Sequence, residues 1–496
     1  MGKSDLKLIK DYQKELTLFG HASALFDWDQ QVNMPKKGVG SRAEISAFFG
    51  EMAHEKVISE DFYSAILRLR SGRLKGDDRL MVDKLYKDVS KSRKIPKELV
   101  SEMARAAAMG HSAWEKARAK KDFSVYRKAL ERIVELKRKQ ASLIGLPGHP
   151  YNSLLDDFEE GMTAEKLIPV FRKLKKELVG LLRKIERSKV YKNQRRVYTS
   201  REFDKSKQES FVRDVAKRMG LKKEFSRIDI SEHPFTTKVG VDDIRFTVAY
   251  RENPLFAFES GVHEAGHALY ESGLPKKHAY DTLGDAPSLG IHESQSRFWE
   301  NMISKSEAFW RFYFPKFDKE FGLGRDFEGW FREVNYIEPG MIRVESDEVH
   351  YCLHVILRFE IELGLLDGSI KVADLPKIWN KKAKEVFGRG PKDDVEGVLQ
   401  DVHWSGGAIG YFPTYALGTI YAAQIYEFLR KKYSWLEKDI EKGNYSRIRK
   451  WLKENIHEKG STMLADDIIK KATGRGLNPD AFVRYLNRKY GKIYGF

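Results

Sequence analysis

The chain has 496 residues, 41% hydrophobic and 12% aromatic, with a formal net charge of +17, so it can bury a large core and its charge raises nucleic acid as a partner. Nucleic-acid binding is nonetheless the weaker expectation, because the basic residues are interspersed with 72 acidic ones and no aromatic-interleaved basic module stands out. No run of eighteen apolar residues occurs, the first residues are charged, and Cys352 is the single cysteine, which argues against a membrane span, a secretory leader and a disulfide and for a cytoplasmic protein.

From Ser4 onward apolar residues recur at helical spacing, at Leu8, Ile9, Tyr12, Leu16 and Phe19. Residues 34–40 are turn-rich, and Ser41-x-x-Glu44 reads as a capping box opening a second helix whose apolar face is Ile45, Phe48, Phe49 and Met52. Helical periodicity continues through the connector Ile95-Pro96 to Ile144, where Gly145-Leu146-Pro147-Gly148-His149-Pro150 breaks it. A long amphipathic helix is expected from about Thr163 to Ile185, with Leu167, Phe171, Leu174, Leu178, Leu181 and Ile185 on one face; Pro169 implies a kink or a later start. Residues 189–201 are basic and lack a period, as in an exposed loop. Residues 243–250 alternate apolar Ile244, Phe246, Val248 and Tyr250 with Asp243, Arg245, Thr247 and Ala249, the pattern of a half-buried strand. We expect it at a sheet edge, where it would pair with an extended peptide. Cys352, among Tyr351, Leu353, Val355 and Ile356, is expected to be a buried structural thiol.

Chemistry first appears at His263-Glu264-Ala265-Gly266-His267. Residues four apart on a helix lie one above the other, so His263 and His267 would share one metal ion with Glu264 beside it, the H-E-x-x-H arrangement of zinc hydrolases. Such a site needs a third protein ligand. Glu293 is the candidate, because a connection of about two dozen residues after His267 lets a second helix return antiparallel to the first. His292 would point roughly 100 degrees away from Glu293 on that helix.

Several stretches together give these motifs a context. His233-Pro234-Phe235, Asp243-Ile244-Arg245-Phe246-Thr247, the His263 to His267 motif, His292-Glu293-Ser294-Gln295, Ile342-Arg343-Val344-Glu345-Ser346-Asp347 and Gly397-Val398-Leu399-Gln400-Asp401-Val402-His403-Trp404 occur in this order. Phe26-Asp27-Trp28-Asp29-Gln30 and Met34-Pro35 precede them. In this the chain resembles the M32 family of metallopeptidases, the Taq-type thermostable carboxypeptidases, over nearly its whole length. The resemblance implies a mostly α, zincin-like fold with a deep substrate groove between two helical halves and a small β-sheet beside the active site. It implies a single peptidase domain over residues 1–496, with a mainly helical half to about residue 190 and the metal-site motifs beyond about residue 200. It further implies a homodimer that removes single C-terminal residues with broad specificity, using zinc or cobalt.

Within that reading Glu264 is the general base acting on a metal-activated water. His403 and Tyr411, flanking a glycine-rich loop, are the candidates for stabilising the oxyanion, with Tyr415 competing for the phenol role. Arg343, from its motif position, is the first choice for the substrate's terminal carboxylate, and Arg245 the second. The enzymatic alternative is a dipeptidyl carboxypeptidase or oligoendopeptidase on a similar scaffold.

Overall fold

The helical spacing of the first residues becomes a 31-residue helix, α1, over Gly2–Val32. The structure is a computed structural model describing residues 2–199 and 202–496, and 71% of it is helical. Three more helices, α2 (Val39–Ile58), α3 (Glu60–Ser71) and α4 (Gly76–Arg93), complete an N-terminal unit with α1. The expected capping box is not used. A 3-10 turn at Lys36–Gly38 runs directly into α2, whose N-cap is Gly38, so Ser41 lies inside the first turn and caps nothing. The apolar face expected on α2 is only partly covered: Phe49 packs on Phe19 and Phe26 of α1, while Ile45 is 41%, Phe48 59% and Met52 39% exposed. Periodicity located that face but not what covers it.

The body follows with α5 (Lys97–Lys120), α6 (Ser124–Ile144), α7 (Tyr151–Leu155) and α8 (Ala164–Arg187). The last is the expected amphipathic helix. Thr163 caps it by accepting from the Lys166 amide, it runs on through Pro169, and Leu167, Phe171, Leu174, Leu178, Leu181 and Ile185 are all buried. The basic stretch begins with a short helix, α9 (Lys189–Asn193), rather than a loop throughout, and its end at Arg201 lies outside the described residues. After α10 (Lys205–Met219) come β1 (Ser226–Ile230), β2 (Thr236–Gly240) and β3 (Asp243–Val248).

The sheet order is β1-β3-β2, with β3 parallel to β1 and antiparallel to β2. The strand recognised in the sequence is therefore the central one, and the expectation of an edge strand over residues 243–250 is corrected: β2 is the edge on the side of the metal motif. β1 and β2 escaped notice because each is five residues long and neither alternates between buried and exposed.

The remaining helices form the wall around the metal motif: α11 (Pro254–Gly273), α12 (Leu289–Arg297), α13 (Glu307–Phe321), α14 (Phe327–Val334), α15 (Glu348–Asp367), α16 (Leu375–Phe387) and α17 (Pro413–Lys432). Asn253 caps α11 by accepting from the Leu255 amide, and Pro254 occupies its first position, a favourable start for a helix. Ile244 and Phe246 of β3 are fully buried on the face toward α11, where Val248 packs against Gly261. Further helices between Leu436 and Tyr494 close the C-terminal end. One hydrophobic core joins residues from α5 to the C-terminus; a second, small one holds Ile9, Phe62, Ile66, Leu69, Met81, Val82 and Val89, with Leu283 inserted from the loop after α11. Cys352 is buried in α15 and burial pushes its thiol up to about 12, so it is a packing residue as expected. No described helix is long and apolar enough to cross a membrane.

Candidate metal centre

Helix periodicity places His263 and His267 one turn apart on α11, and their Nε2 atoms lie 3.2 Å from each other. Glu293, on α12, places Oε2 3.5 Å from the His263 nitrogen and 3.4 Å from that of His267. Two close approaches make this convergence possible. A Cβ at Gly266 would sit 2.7 Å from Ser296 Cα and 2.8 Å from Gln295 O, so only glycine lets α11 and α12 meet at this depth. On the other side of α12, a Cβ at Gly418 of α17 would meet Glu293 Cγ at 2.5 Å. The carboxylate is thus fixed between two helices that touch its own.

The triad fits a tetrahedral metal ion. Zinc bonds of about 2.0–2.1 Å to nitrogen and oxygen place neighbouring donors roughly 3.3–3.4 Å apart, and the three separations here are 3.2, 3.4 and 3.5 Å. Electrostatics agree. Burial acts upward on Glu293, but Arg297 together with His263 and His267 outweighs it and holds the carboxyl well below the usual carboxylate range, hence ionised. Burial pushes His267 down to about 3, which leaves its nitrogen lone pair free to bind. For His263 burial also acts downward, but Glu293 and Glu300 outweigh it and carry the pKa up to about 9. The field that favours a proton on His263 favours a divalent cation in its place.

Around the triad lies a network invisible in the motif itself. Glu300 Oε2 meets His263 Nδ1 at 2.7 Å, which fixes the ring so that Nε2 faces the site. Arg297 donates from Nε to Glu293 Oε1 at 2.7 Å and its Nη1 lies 3.2 Å from Glu300 Oε2. A signal for these was present in the sequence: Glu293, Arg297 and Glu300 follow i, i+4, i+7 spacing, one face of a helix, among largely buried neighbours. His267 has no equivalent partner; its Nδ1 is buried without a hydrogen bond. His292, adjacent to Glu293, bonds Glu271 Oε1 at 2.8 Å and stays outside the triad. Among the described residues, His263, His267 and Glu293 are the one group placed to hold an ion.

Glu264 turns the other way. Its Oε2 accepts from Thr236 Oγ1 of edge strand β2 at 2.6 Å, and burial raises its pKa, as suits a base near neutral pH. His263, Glu264 and Arg343 line one cavity of about 560 Å³ with Arg297, Lys305 and Tyr351. Arg343 is buried, with Nε and Nη2 on Asp401 Oδ1 at 3.0 and 2.8 Å and Nη1 on Tyr351 OH at 3.1 Å. Those bonds use three of the five guanidinium N–H groups and leave two for a ligand.

The match to known proteins follows this layout. Residues 8–490 match the family described as Carboxypeptidase Taq (M32) metallopeptidase. The chain belongs to the M32 family. It is 36% identical to "Thermostable carboxypeptidase 1" of Thermus thermophilus, with 98% of each chain covered. It is 34% identical to "Carboxypeptidase 1" of Bacillus subtilis, covering 98% of this chain and 97% of that one. A solved M32 carboxypeptidase from Deinococcus radiodurans R1, 33% identical, superposes with a TM-score of 0.96 over 99% of this chain and all of that one. The chain is accordingly a metallocarboxypeptidase.

Of the other candidate residues, the structure brings together His403, Tyr411 and Tyr415: His403 Nε2 lies 3.0 Å from Tyr415 OH, and the Tyr411 ring is 5.3 Å from both the His403 and Tyr415 rings. Burial lowers His403 to about 4, so it is neutral at pH 7. The negative charge of Glu293 reaches both phenols and adds to the burial that raises them. Arg245 is not brought to the site. It makes a two-point pair with Asp243 at 2.9 and 2.7 Å and lies 4.3 Å from the Trp28 ring of α1, on the sheet face opposite the one packed on α11. Alternation along β3 dictates this: Ile244 and Phe246 face α11, so Arg245 faces away.

Proposed function

We propose that this M32 carboxypeptidase removes single C-terminal residues from peptides with broad specificity, that Arg343 receives the terminal carboxylate and that Glu264 is the general base. The observation that carries the reading is a single cavity lined by His263, Glu264 and a buried arginine with two unspent N–H groups. His263, His267 and Glu293 would hold one zinc or cobalt ion. When bound, that ion supplies a Lewis acid and lowers the pKa of a water toward 7. Glu264 takes the proton of the attacking water and returns it to the leaving amine, with Thr236 holding its carboxylate in place. His403 with Tyr411 donates to the oxyanion, and Tyr415, bonded to His403, orients it or shares the role. Arg343 draws the chain end in with a charge-assisted bond, worth about 1.5–3 kcal/mol, or roughly ten- to more than hundredfold in preference for a free carboxylate.

The exposed apolar residues of α1 and α2, Leu18, Leu25, Ile45, Phe48 and Met52, favour a homodimer in which a second copy covers them. A single peptidase domain in the cytoplasm, with the heat stability that the name of the Thermus thermophilus relative carries, completes the reading; the lysine and carboxylate network of Lys84, Lys87 and Lys91 with Asp156 and Glu160 supports the last point. The deciding experiment pairs metal analysis with cleavage of one peptide in free-acid and C-terminally amidated forms. One zinc or cobalt per chain and a preference of at least about tenfold for the free acid, lost in Arg343→Ala, is the expected result. Equal cleavage of both forms by the parent would point instead to an endopeptidase. A preference unchanged in Arg343→Ala would remove that arginine from its role.

A further inference from the structure

His403 and Tyr411 sit on a connection between α15–α16 and α17 whose regular structure is one 3-10 turn over His403–Gly406. Groups that must meet a developing charge within fractions of an ångström cannot rest on such a segment unless it is held. The holder is in α15. Glu362 is 0% exposed, and its carboxylate accepts from three separate segments: Trp404 Nε1 at 2.8 Å on Oε1, Tyr151 OH of α7 at 2.6 Å on Oε2, and the Gly410 amide at 3.2 Å on Oε2. None of the donors is charged. The cation whose charge acts on it, Arg358, is already bound to Asp401.

A carboxylate buried without an ionic partner is unfavourable unless its bonds are needed. Two of the three bonds go to Trp404 and Gly410, which are adjacent to His403 and Tyr411 respectively. We propose that Glu362 is a positioning residue for the peptidase reaction, anchoring the 403–411 segment at both ends so that His403 and Tyr411 face the metal-binding triad. The proposal rests on the reading of those two residues as oxyanion donors. The chemistry is specific to a carboxylate. Its two oxygens satisfy the Trp404 and Gly410 N–H groups together, whereas a glutamine places its one oxygen at either and turns an NH2 group toward the other.

The test compares Glu362→Gln with Tyr151→Phe in the metal-loaded enzyme. Each removes one hydrogen bond from the same cluster, but only the first leaves a loop N–H unpaired; the second leaves both paired. We expect Glu362→Gln to lower kcat about 10- to 100-fold with KM within about twofold and full metal content, and Tyr151→Phe to keep kcat within about twofold. Both should lower the melting temperature. Equal kcat losses in the two variants, or parental kcat in Glu362→Gln, would overturn the proposal in favour of simple packing. Should Glu362→Gln fail to fold, Trp404→Phe deletes one anchored N–H and is expected to show the same kcat loss at unchanged KM; parental kcat there would overturn it equally. His403→Gln and Tyr411→Phe separate the two layers: turnover retained in both overturns the oxyanion reading with everything built on it, while turnover lost in both but kept in Glu362→Gln overturns the anchoring alone.

Discussion

Helices α11 and α12 meet backbone against backbone at Gly266, and α17 meets the Glu293 side chain of α12 at Gly418, while α1–α4 reach the body largely through the tips of polar side chains. Lys87 and Lys91 of α4 bridge to Asp156 at 3.0 and 3.2 Å, Asp77 meets His278 at 3.1 Å, and Gln13 accepts from the Thr282 amide at 2.9 Å. Leu283 supplies the main apolar insertion between the two regions. A cavity of about 700 Å³ lies between α2 and α4 on one side and Phe158, Ser288 and Leu289 on the other. Close packing makes the first region insensitive to fluctuation and intolerant of added volume. Polar contacts across a gap give the second the opposite character, and the lining of the cavity that His263 and Glu264 share includes none of its residues. Substitutions should therefore divide cleanly, with chemistry and metal affinity lost in one region and access or local stability in the other.

The largest effect on turnover is expected from Glu264→Gln. The substitution keeps size and the Thr236 contact but removes the base, so kcat should fall by about 10²–10⁴-fold with metal content unchanged. Full activity in that variant would remove Glu264 from the mechanism. Gly266→Ala tests the packing itself. Its new methyl would meet Ser296 Cα and the Gln295 carbonyl, backbone atoms that cannot rotate aside, so α12 must move and carry Glu293 with it. We expect a loss of about 1–3 kcal/mol in stability together with weakened metal retention, measured by melting with and without added zinc. A variant that melts and binds metal like the parent would show that the helices are not as tightly matched as the geometry implies.

Glu300→Ala is a narrower probe of the same region. It frees His263 to rotate and should weaken metal binding about 10- to 100-fold, read from activity in a series of buffered zinc concentrations. Since His267 already lacks a partner at Nδ1, the two ligands are held unequally. Loss of Glu300 without change in the zinc requirement would mean that packing alone orients both rings.

The metal motif was legible because its information is local: two histidines at helical spacing specify a shared direction whatever surrounds them. Glu293 followed from the length of the connection and was then fixed by Gly266, whose significance depends on a neighbour 30 residues away in sequence. Glu300, Arg297 and Thr236 were missed for a related reason. They act on the ligands and on the base rather than on the metal, and the helical spacing shared by Glu293, Arg297 and Glu300 does not name His263 as the partner of Glu300, nor Glu264 as that of Thr236. The alternation of residues 243–250 correctly announced a strand, but it carries no information about which edge is free, so both the edge assignment and the role given to Arg245 failed together. In α2 the failure ran in the opposite direction: of a sound apolar stripe only Phe49 found partners, in Phe19 and Phe26 of α1, while Ile45, Phe48 and Met52 stay exposed.

Trp28→Ala addresses the cover. The Trp28 ring lies 4.3 Å from the Arg245 guanidinium and 5.0 Å from that of Arg227, and it is one of the few buried side chains of α1. These two arginines belong to β3 and β1, so one indole fastens the N-terminal unit to the sheet beside the metal-binding helix. Removing it should cost about 3 kcal/mol or more locally, enough to raise the open population of the unit roughly 100-fold and accelerate proteolytic cutting at the turn over residues 34–40 by a similar factor. Turnover of a saturating short peptide should stay within about twofold, because neither arginine touches the triad and Glu264 is held from β2 by Thr236. Should kcat fall in step with the rise in proteolysis, the sheet would be transmitting the position of α1 to Glu264, and the N-terminal unit would belong to the catalytic machinery.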